Sequence, residues 1–318
     1  MIIQGFRRLR EAGVLGINSR NADYIMPHNA RSALPSADNK VRTKELARKA
    51  GIPTPELLHV IENHGNITKI LEVLKNIQGF VVKPAQGSGG NGILLISEAS
   101  TEGFITQSGN VLSREDFAYH ISSIISGIYS LGGREDTAVI EALIHPDPVF
   151  NSITYQGVPD VRIVVYRGVP IMAMVRLPTK ASDGKANLHR GAIGAGIDIG
   201  SGITKSAVHK SRVVELHPDT GNYVKGMHIP HWDKMLLMAA TAMEMTGLGY
   251  LGADIVLDRD RGPVLLELNA RPGLAIQIAN QSGLRSRLER ADGALAGTSL
   301  SPDARVALAK ELFGAGQR

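Results

Sequence analysis

Cysteine is absent from the 318 residues, which excludes disulfides, thiolate metal sites, iron–sulfur clusters and cysteine nucleophiles. Aromatic residues make up only 4%, so few flat side chains are on hand to stack on bases. Lys and Arg form no basic cluster either, and a nucleic-acid binder is disfavoured on both counts. No apolar run approaches the ~18 residues that a membrane-spanning helix needs. The start, Met1-Ile2-Ile3-Gln4-Gly5-Phe6-Arg7-Arg8, lacks the apolar core and cleavage site of a signal peptide, so the expected compartment is the cytoplasm. Neither H-E-x-x-H nor G-x-S-x-G occurs, which removes the signatures of zincins and α/β-hydrolases. His228 and His231 have H-x-x-H spacing, but Pro230 lies between them and no third ligand is evident, which argues against zinc.

What remains is an ordinary globular composition, 43% hydrophobic and 20% charged, long enough for one large domain or two modest ones at about 150 residues each. The formal charge of +5 suits a nucleotide or phosphate ligand. Glycine is in excess, 35 residues of 318, against an average of about 7%. Along the chain, residues 1–37 are polar and without a clean period. A helix is predicted from Asp38 or Asn39 to Gly51, followed by the stiff segment Gly51-Ile52-Pro53-Thr54-Pro55. Ile67, Ile70, Leu71, Leu74 and Ile77 mark one helical face. A second helix runs from about Ser113 to Leu131 with Phe117, Ile121, Ile124, Ile128 and Leu131 as its buried stripe and Ser113 as its cap. Strands are expected at 80–83, 93–96, 137–144, 160–167, 170–177, 251–258 and 263–268, with a helix near 231–246 and a short one at 303–313. Gly168-Val169-Pro170 and Arg259-Asp260-Arg261-Gly262 read as hairpin turns. Composition alone does not settle the segment Gly191 to Gly202. Helices followed by hairpin-linked strands point to α+β with antiparallel sheet, not to a Rossmann alternation.

Two constellations carry chemistry. Val81-Val82-Lys83-Pro84 runs into Gln86-Gly87-Ser88-Gly89-Gly90-Asn91-Gly92. Bare backbone amides there can surround phosphate oxygens, with the lysine reaching the same anion; a plain flexible hairpin is the alternative. The lysine precedes the glycines, so this is not a Walker A loop. In the second constellation, pairing Asp258 with Pro263 across the turn sets Asp254 opposite Glu267, with Asn269 on the same face. Two facing carboxylates repel unless neutralised; a hard divalent cation with oxygen ligands does this, and one raised pKa or a solvated face would also serve. On this register Val264, Leu266 and Leu268 turn to the core. Arg271 follows in Ala270-Arg271-Pro272-Gly273, and Asp160-Val161-Arg162 and Asn187-Leu188-His189-Arg190-Gly191 offer further phosphate contacts.

Taken in order, these motifs resemble the ATP-grasp superfamily of carboxylate–amine ligases, and within it the RimK-like α-L-glutamate ligases. The match extends from Asp38-Asn39-Lys40 through Val81-Val82-Lys83-Pro84, Val139-Ile140-Glu141-Ala142-Leu143-Ile144 and Gly252-Ala253-Asp254 to Leu266-Glu267-Leu268-Asn269-Ala270-Arg271-Pro272-Gly273. The resemblance implies two α+β subdomains with antiparallel sheets gripping ATP. It divides the chain into a shortened segment 1–37, a grasp domain 38–290 with a mobile lid at about 78–140, and a tail 291–318. It assigns Lys40, Lys83 and the loop Gly87, Ser88, Gly89, Gly90 and Gly92 to ATP phosphates. Glu141, Ala142 and Leu143 would take the adenine edge, and Asp160, with Asp147 as competitor, the ribose. Arg190, with Asn187, would stabilise the transferring phosphoryl group, and Lys83 and Arg271 would join it in catalysis. Asp254, Glu267 and Asn269 would hold two Mg²⁺ ions, or Mn²⁺.

The implied activity is ATP-dependent amide formation through an acyl phosphate, with glutamate as amine and a peptide or small-molecule carboxylate as acceptor. Phosphoryl transfer to a non-carboxylate acceptor and a non-catalytic ATP-binding module are the alternatives. RimK-like ligases carry a longer region before the grasp. Asn18, Arg20, Asn21, Asn29 and Arg31 are therefore expected to form a reduced acceptor site with Arg271, or a homo-oligomer or partner subunit completes it.

Overall fold

The computed structural model describes residues 2–87, 89–130 and 132–315. It divides into two compact units, one of residues 38–44 and 54–144, the other of residues 1–37, 45–53 and 145–318. Residues 1–37 fall with the larger unit. Among the described residues no helix is long and apolar enough to cross a membrane.

The smaller unit is built on a six-stranded antiparallel sheet. Its strands are β1 (Leu57–Ile61), β2 (Phe80–Pro84), β3 (Leu94–Ala99), β4 (Gly103–Thr106), β5 (Val111–Ser113) and β6 (Ala138–Ala142), in the order β1-β6-β2-β3-β4-β5. Helices Ile67–Leu74 and Arg114–Ile125 cover it. Three of the chain's six phenylalanines meet beneath them, Phe104 stacked on Phe117 at 4.1 Å and Phe80 edge-on to both. This aromatic knot, with Ile121, Ile124 and Ile140, is the core that sets β2 and β6 in place. Ser113 caps the second helix by accepting from the Asp116 N–H. That helix ends at Ile125, six residues short of the predicted end, because the chain turns through Gly127 at φ 79°. Ile128 is accordingly exposed rather than buried, and Leu131 lies outside the described residues.

The larger unit carries a seven-stranded antiparallel sheet. Here β7 (Asp160–Tyr166), β8 (Val169–Leu177), β9 (Ile193–Ile197), β10 (Thr204–His209), β11 (Arg212–Val214), β12 (Tyr250–Asp258) and β13 (Gly262–Asn269) run in the order β11-β10-β9-β8-β7-β12-β13. Helices Trp232–Thr246, Arg285–Ala294 and Pro302–Phe313 pack on it. The β7–β8 turn is Arg167-Gly168, one residue earlier than predicted. Both residues have positive φ, as a two-residue type I′ hairpin requires, and Val169 and Pro170 already lie in β8. The glycine-rich segment that composition left open contains β9. A Cβ on Gly196 would lie 2.7 Å from the Ala279 carbonyl oxygen, so glycine is what lets that backbone lie against the strand.

The polar N-terminal stretch is helical, with Ile2–Glu11 followed by a run of short turns. It is tied to the larger unit by side chain–backbone bonds. Gln277 brackets the Leu15 backbone, and Asn29 both accepts from the Tyr250 N–H and donates to the Tyr250 carbonyl.

Candidate functional site

In the smaller unit the glycine loop rises from a pinned stem. Asp136, buried, accepts from the Gln86 N–H at 3.1 Å and from the Ser130 hydroxyl at 2.6 Å. Gly87 has no room for a Cβ, which would sit 2.2 Å from the Pro84 ring; one on Gly92 would strike Tyr129. Gly89 and Gly90, both at positive φ, face open space, and Ser88 lies outside the described residues. The loop tip is therefore bare backbone on a rigid base, the form that suits phosphate oxygens. Lys40, at the start of helix Lys40–Lys49, donates to the Gly87 carbonyl at 2.9 Å.

Lys83 and Glu141 lie on the same face of neighbouring strands, since Val81 pairs with Glu141 and Lys83 with Val139. Their ion pair is 2.6 Å long and almost wholly buried. Glu141 also meets Lys44 at 3.1 Å, and Lys44 donates to the Pro55 carbonyl at 2.5 Å. The Glu141 carboxylate is thus held between two ammonium groups instead of presenting an edge to adenine. The Ala142 N–H is likewise committed, donating to the Glu56 carbonyl at 3.0 Å. Of the expected adenine contacts only Leu143 has no such assignment in the sheet. Lys44 and Asp136 escaped the sequence reading. Lys44 follows Lys40 by one helical turn, which puts both on one face, and this was the available signal.

In the larger unit the carboxylates meet as expected, though by a different route. Asp254 does stand opposite Glu267, but Asp258 pairs with Gly262, not Pro263. A β-bulge at Leu265–Leu266 restores the register lost at the turn. The bulge reverses part of the predicted facing: Val264, opposite Val256, shares the side of Asp254, and Leu265 joins Leu268 in the core.

Across the sheet, Asp254 pairs with Arg162 on β7, and Asp160 with Arg176 on β8. Arg162 donates to both oxygens of Asp254 at 2.7 and 2.5 Å. Arg176 grips Asp160 at 2.5 and 2.6 Å and donates to Asp254 at 2.7 Å. Asn269 adds a fourth donor to Asp254 at 3.2 Å and lies 3.4 Å from Glu267. Arg176 was not singled out from sequence; a lone arginine in the apolar strand Val169–Leu177 was its signal.

Burial alone would raise both aspartates. At Asp254 the two guanidinium charges override it and hold the carboxyl far below its usual range. At Asp160 burial prevails, reinforced by the Asp254 charge, and pushes the group up to about 6 against the pull of Arg176. Asp160 is enclosed, so as it stands it does not offer its oxygens to ribose hydroxyls. Asp147, half-buried, caps a short turn through the Val149 N–H.

The fit to a divalent cation divides within this set. Among the described residues no three His, Asp or Glu side chains form a metal-binding group, so the candidate donors are two carboxylates and an amide. Glu267 and Asn269 are half-buried oxygen donors of the kind a hard cation takes. Asp254 has four N–H donors on a carboxylate with about four acceptor positions; it fits a cation only if a guanidinium yields.

Asn187 caps the turn Leu188–Arg190, and Arg190 is exposed beside a cavity of about 580 Å³ that His189 and Lys210 also line. Arg271 is exposed as well, next to Pro272, whose carbonyl accepts from Arg20 at 2.8 Å. Arg20 and Asn29, expected at the acceptor, are buried; Arg20 donates to the Asn21 side chain and the Pro272 carbonyl and Asn29 is spent on the Tyr250 backbone, whereas Asn18 and Arg31 are exposed.

Residues 19–293 match the family model described as sugar-transfer associated ATP-grasp. A comparison with curated proteins returns no match. Among solved structures, the ATP-grasp ligase PsnB complexed with a minimal precursor is 16% identical with a TM-score of 0.45, over 85% of this chain and 64% of that one. A Chryseobacterium gregarium RiPP-associated ATP-grasp ligase, in complex with ADP and a leader and core peptide, is 13% identical (TM-score 0.47, 87% and 65% covered). A RimK domain ATP-grasp protein from Sphaerobacter thermophilus is 13% identical (TM-score 0.43, 82% and 70%). The chain spans slightly less than two thirds of the first two relatives.

Proposed function

The chain belongs to the sugar-transfer associated ATP-grasp family, and from that premise we propose that it is an ATP-dependent ligase joining a carboxylate to an amine. The observation that carries this reading is the charged face of the larger sheet, where Asp254, Glu267 and Asn269 stand on adjacent strands with Arg162 and Arg176 beside them. The bare glycine loop with Lys40 at its stem supplies the phosphate-binding element in the smaller unit. In this reading Lys40, Lys83 and the loop Gly87 to Gly92 would bind ATP phosphates, and Glu267 and Asn269, with Asp254 if a guanidinium yields, would hold Mg²⁺, which would offset the phosphate charge. Arg190 and Arg271 meet the transferring group.

The chemistry follows from charge. A substrate carboxylate oxygen attacks the γ-phosphorus, the bond to the β-bridging oxygen breaks, and ADP leaves. Two anions approach one another in that step, and cationic side chains and Mg²⁺ offset the repulsion. The amine nitrogen then attacks the acyl carbon, phosphate departs with the C–O bond's electrons, and the nitrogen loses a proton. Exclusion of water protects the acyl phosphate. The RimK-like motifs support glutamate as the amine. The family's association with sugar transfer adds amino sugars and sugar acids to the candidate substrates.

The test is ADP release with Mg-ATP against a panel of amino acids, short peptides, amino sugars and sugar acids, with mass spectrometry of the products. One ADP per new amide is expected, and Glu267→Ala should abolish turnover. A stable phosphorylated acceptor without an amide would replace the ligase by a phosphotransferase. Tight Mg-ATP binding with no turnover on any pair would leave a nucleotide-binding module.

A further inference from the structure

The cavity beside Arg190 belongs wholly to the larger unit, between the turn Leu188–Arg190, the β10–β11 hairpin and the short helix Ile276–Ala279. Its volume, about 580 Å³, falls in the range of small-ligand pockets, ~300–1,000 Å³. The lining is of two kinds. Leu188, Val208 and Ile278 give it an aliphatic wall, and His189, Arg190 and Lys210 give it a basic rim. Among the described residues that line it there is no Asp or Glu and no Phe, Tyr or Trp. The site therefore favours an anion, and the ring it offers for stacking is the His189 imidazole.

Two details mark the wall as more than chance surface. Ile278 is 47% exposed although it sits on a helix whose other apolar residues are buried. The hairpin turn that carries Lys210 is formed by Lys210 and Ser211 at φ 47° and 65°. Both positions are left-handed, where Asn-Gly is at ease and Lys-Ser is not. A strained turn that holds a cation at the mouth of a pocket is the arrangement expected of a binding element.

Building on the ligase reading, we propose that this cavity holds the acceptor, and that the acceptor is a peptide C-terminus ending in an aliphatic residue. Its carboxylate is met by Arg190 and Lys210, and its side chain lies along Leu188, Val208 and Ile278. The carboxylate held there is the one that takes the phosphoryl group.

Calorimetric titration with N-acetyl-Ala-Leu, its C-terminal amide and glucuronate tests this. The acid should bind at least tenfold more tightly than the amide or glucuronate. Lys210→Glu and Ile278→Asp, both at exposed positions, should each weaken it at least tenfold with thermal unfolding unchanged. Equal binding of acid and amide, or two folded variants that bind as the parent does, would overturn the assignment. So would glucuronate binding as tightly as the dipeptide, which would make the acceptor a sugar acid. Titration with Mg-ATP and ADP release separate the two readings. Dipeptide binding without turnover on any acceptor sinks the ligase and leaves the pocket; turnover on other acceptors without dipeptide binding sinks the pocket alone.

Discussion

Arg176 touches two aspartates whose protons respond in opposite senses. Asp160, at about 6, lies above its ordinary value of 3.8, so the folded chain keeps a proton that the unfolded chain releases. Its contribution to stability is complete below about pH 4 and is lost as pH rises through 6. Asp254 is held below its ordinary value; its contribution is present above about pH 4 and is lost as pH falls further. Melting temperatures followed from pH 4 to 6.5 should therefore decline through Asp160. Asp160→Asn should flatten that decline, and Asp254→Asn should weaken it, because the Asp254 charge is part of what raises Asp160. The Lys44–Glu141–Lys83 group makes a second test at this scale. Glu141→Gln leaves two buried ammonium groups short of their counter-ion and should cost about 3–5 kcal/mol in a denaturant melt. Lys44→Met should cost less, because Glu141 keeps Lys83. Residue identities of this kind are only half legible in the chain. Lys40, Lys83, Asp254 and Glu267 stand out by motif, and Arg176 only as a lone arginine in an apolar strand, whereas Asp136 is chosen by three-dimensional proximity, which no local pattern records.

At the level of elements, the hairpin β12–β13 shows how a correct pairing can be reached through two offsetting errors. Moving the turn partner of Asp258 from Pro263 to Gly262 shifts the ladder by one residue, and the bulge at Leu265–Leu266 shifts it back. Two consecutive leucines hide the bulge from any alternation rule, since either can face the core. The long strands and capped helices were readable because period and caps agreed. The strands β1, β4, β5, β10 and β11 were not, since none of them has three consecutive apolar residues to mark it. Gly196 offers an element-scale prediction. A Cβ there meets the Ala279 carbonyl and Asn280, so Gly196→Ala should push helix Ile276–Ala279 off β9. The expected loss is about 1–3 kcal/mol, read by chemical denaturation. If the acceptor pocket is as proposed, dipeptide affinity should fall with it, because Ile278 rides on that helix.

On the scale of the whole chain, the larger unit is discontinuous in sequence and the smaller unit is nearly one stretch. The fold class was legible from helices followed by hairpin-linked strands, but this division was not, because membership depends on partners hundreds of residues away. Asn29 is the clearest case: its amide satisfies the buried N–H and carbonyl of Tyr250. Asn29→Ala should cost about 1–3 kcal/mol by orphaning those groups, measured as a shift of the unfolding midpoint. Synthesis is where this arrangement has its consequence. The arm leaves the ribosome before the strands it packs on, and Tyr250, the partner of Asn29, lies 221 residues downstream. At ~5–20 residues per second that is a wait of roughly 10–40 s. Until then the arm is only partly seated: Tyr24 can meet Tyr166 once β7 has emerged, but Leu15 and Asn29 still await Gln277 and Tyr250.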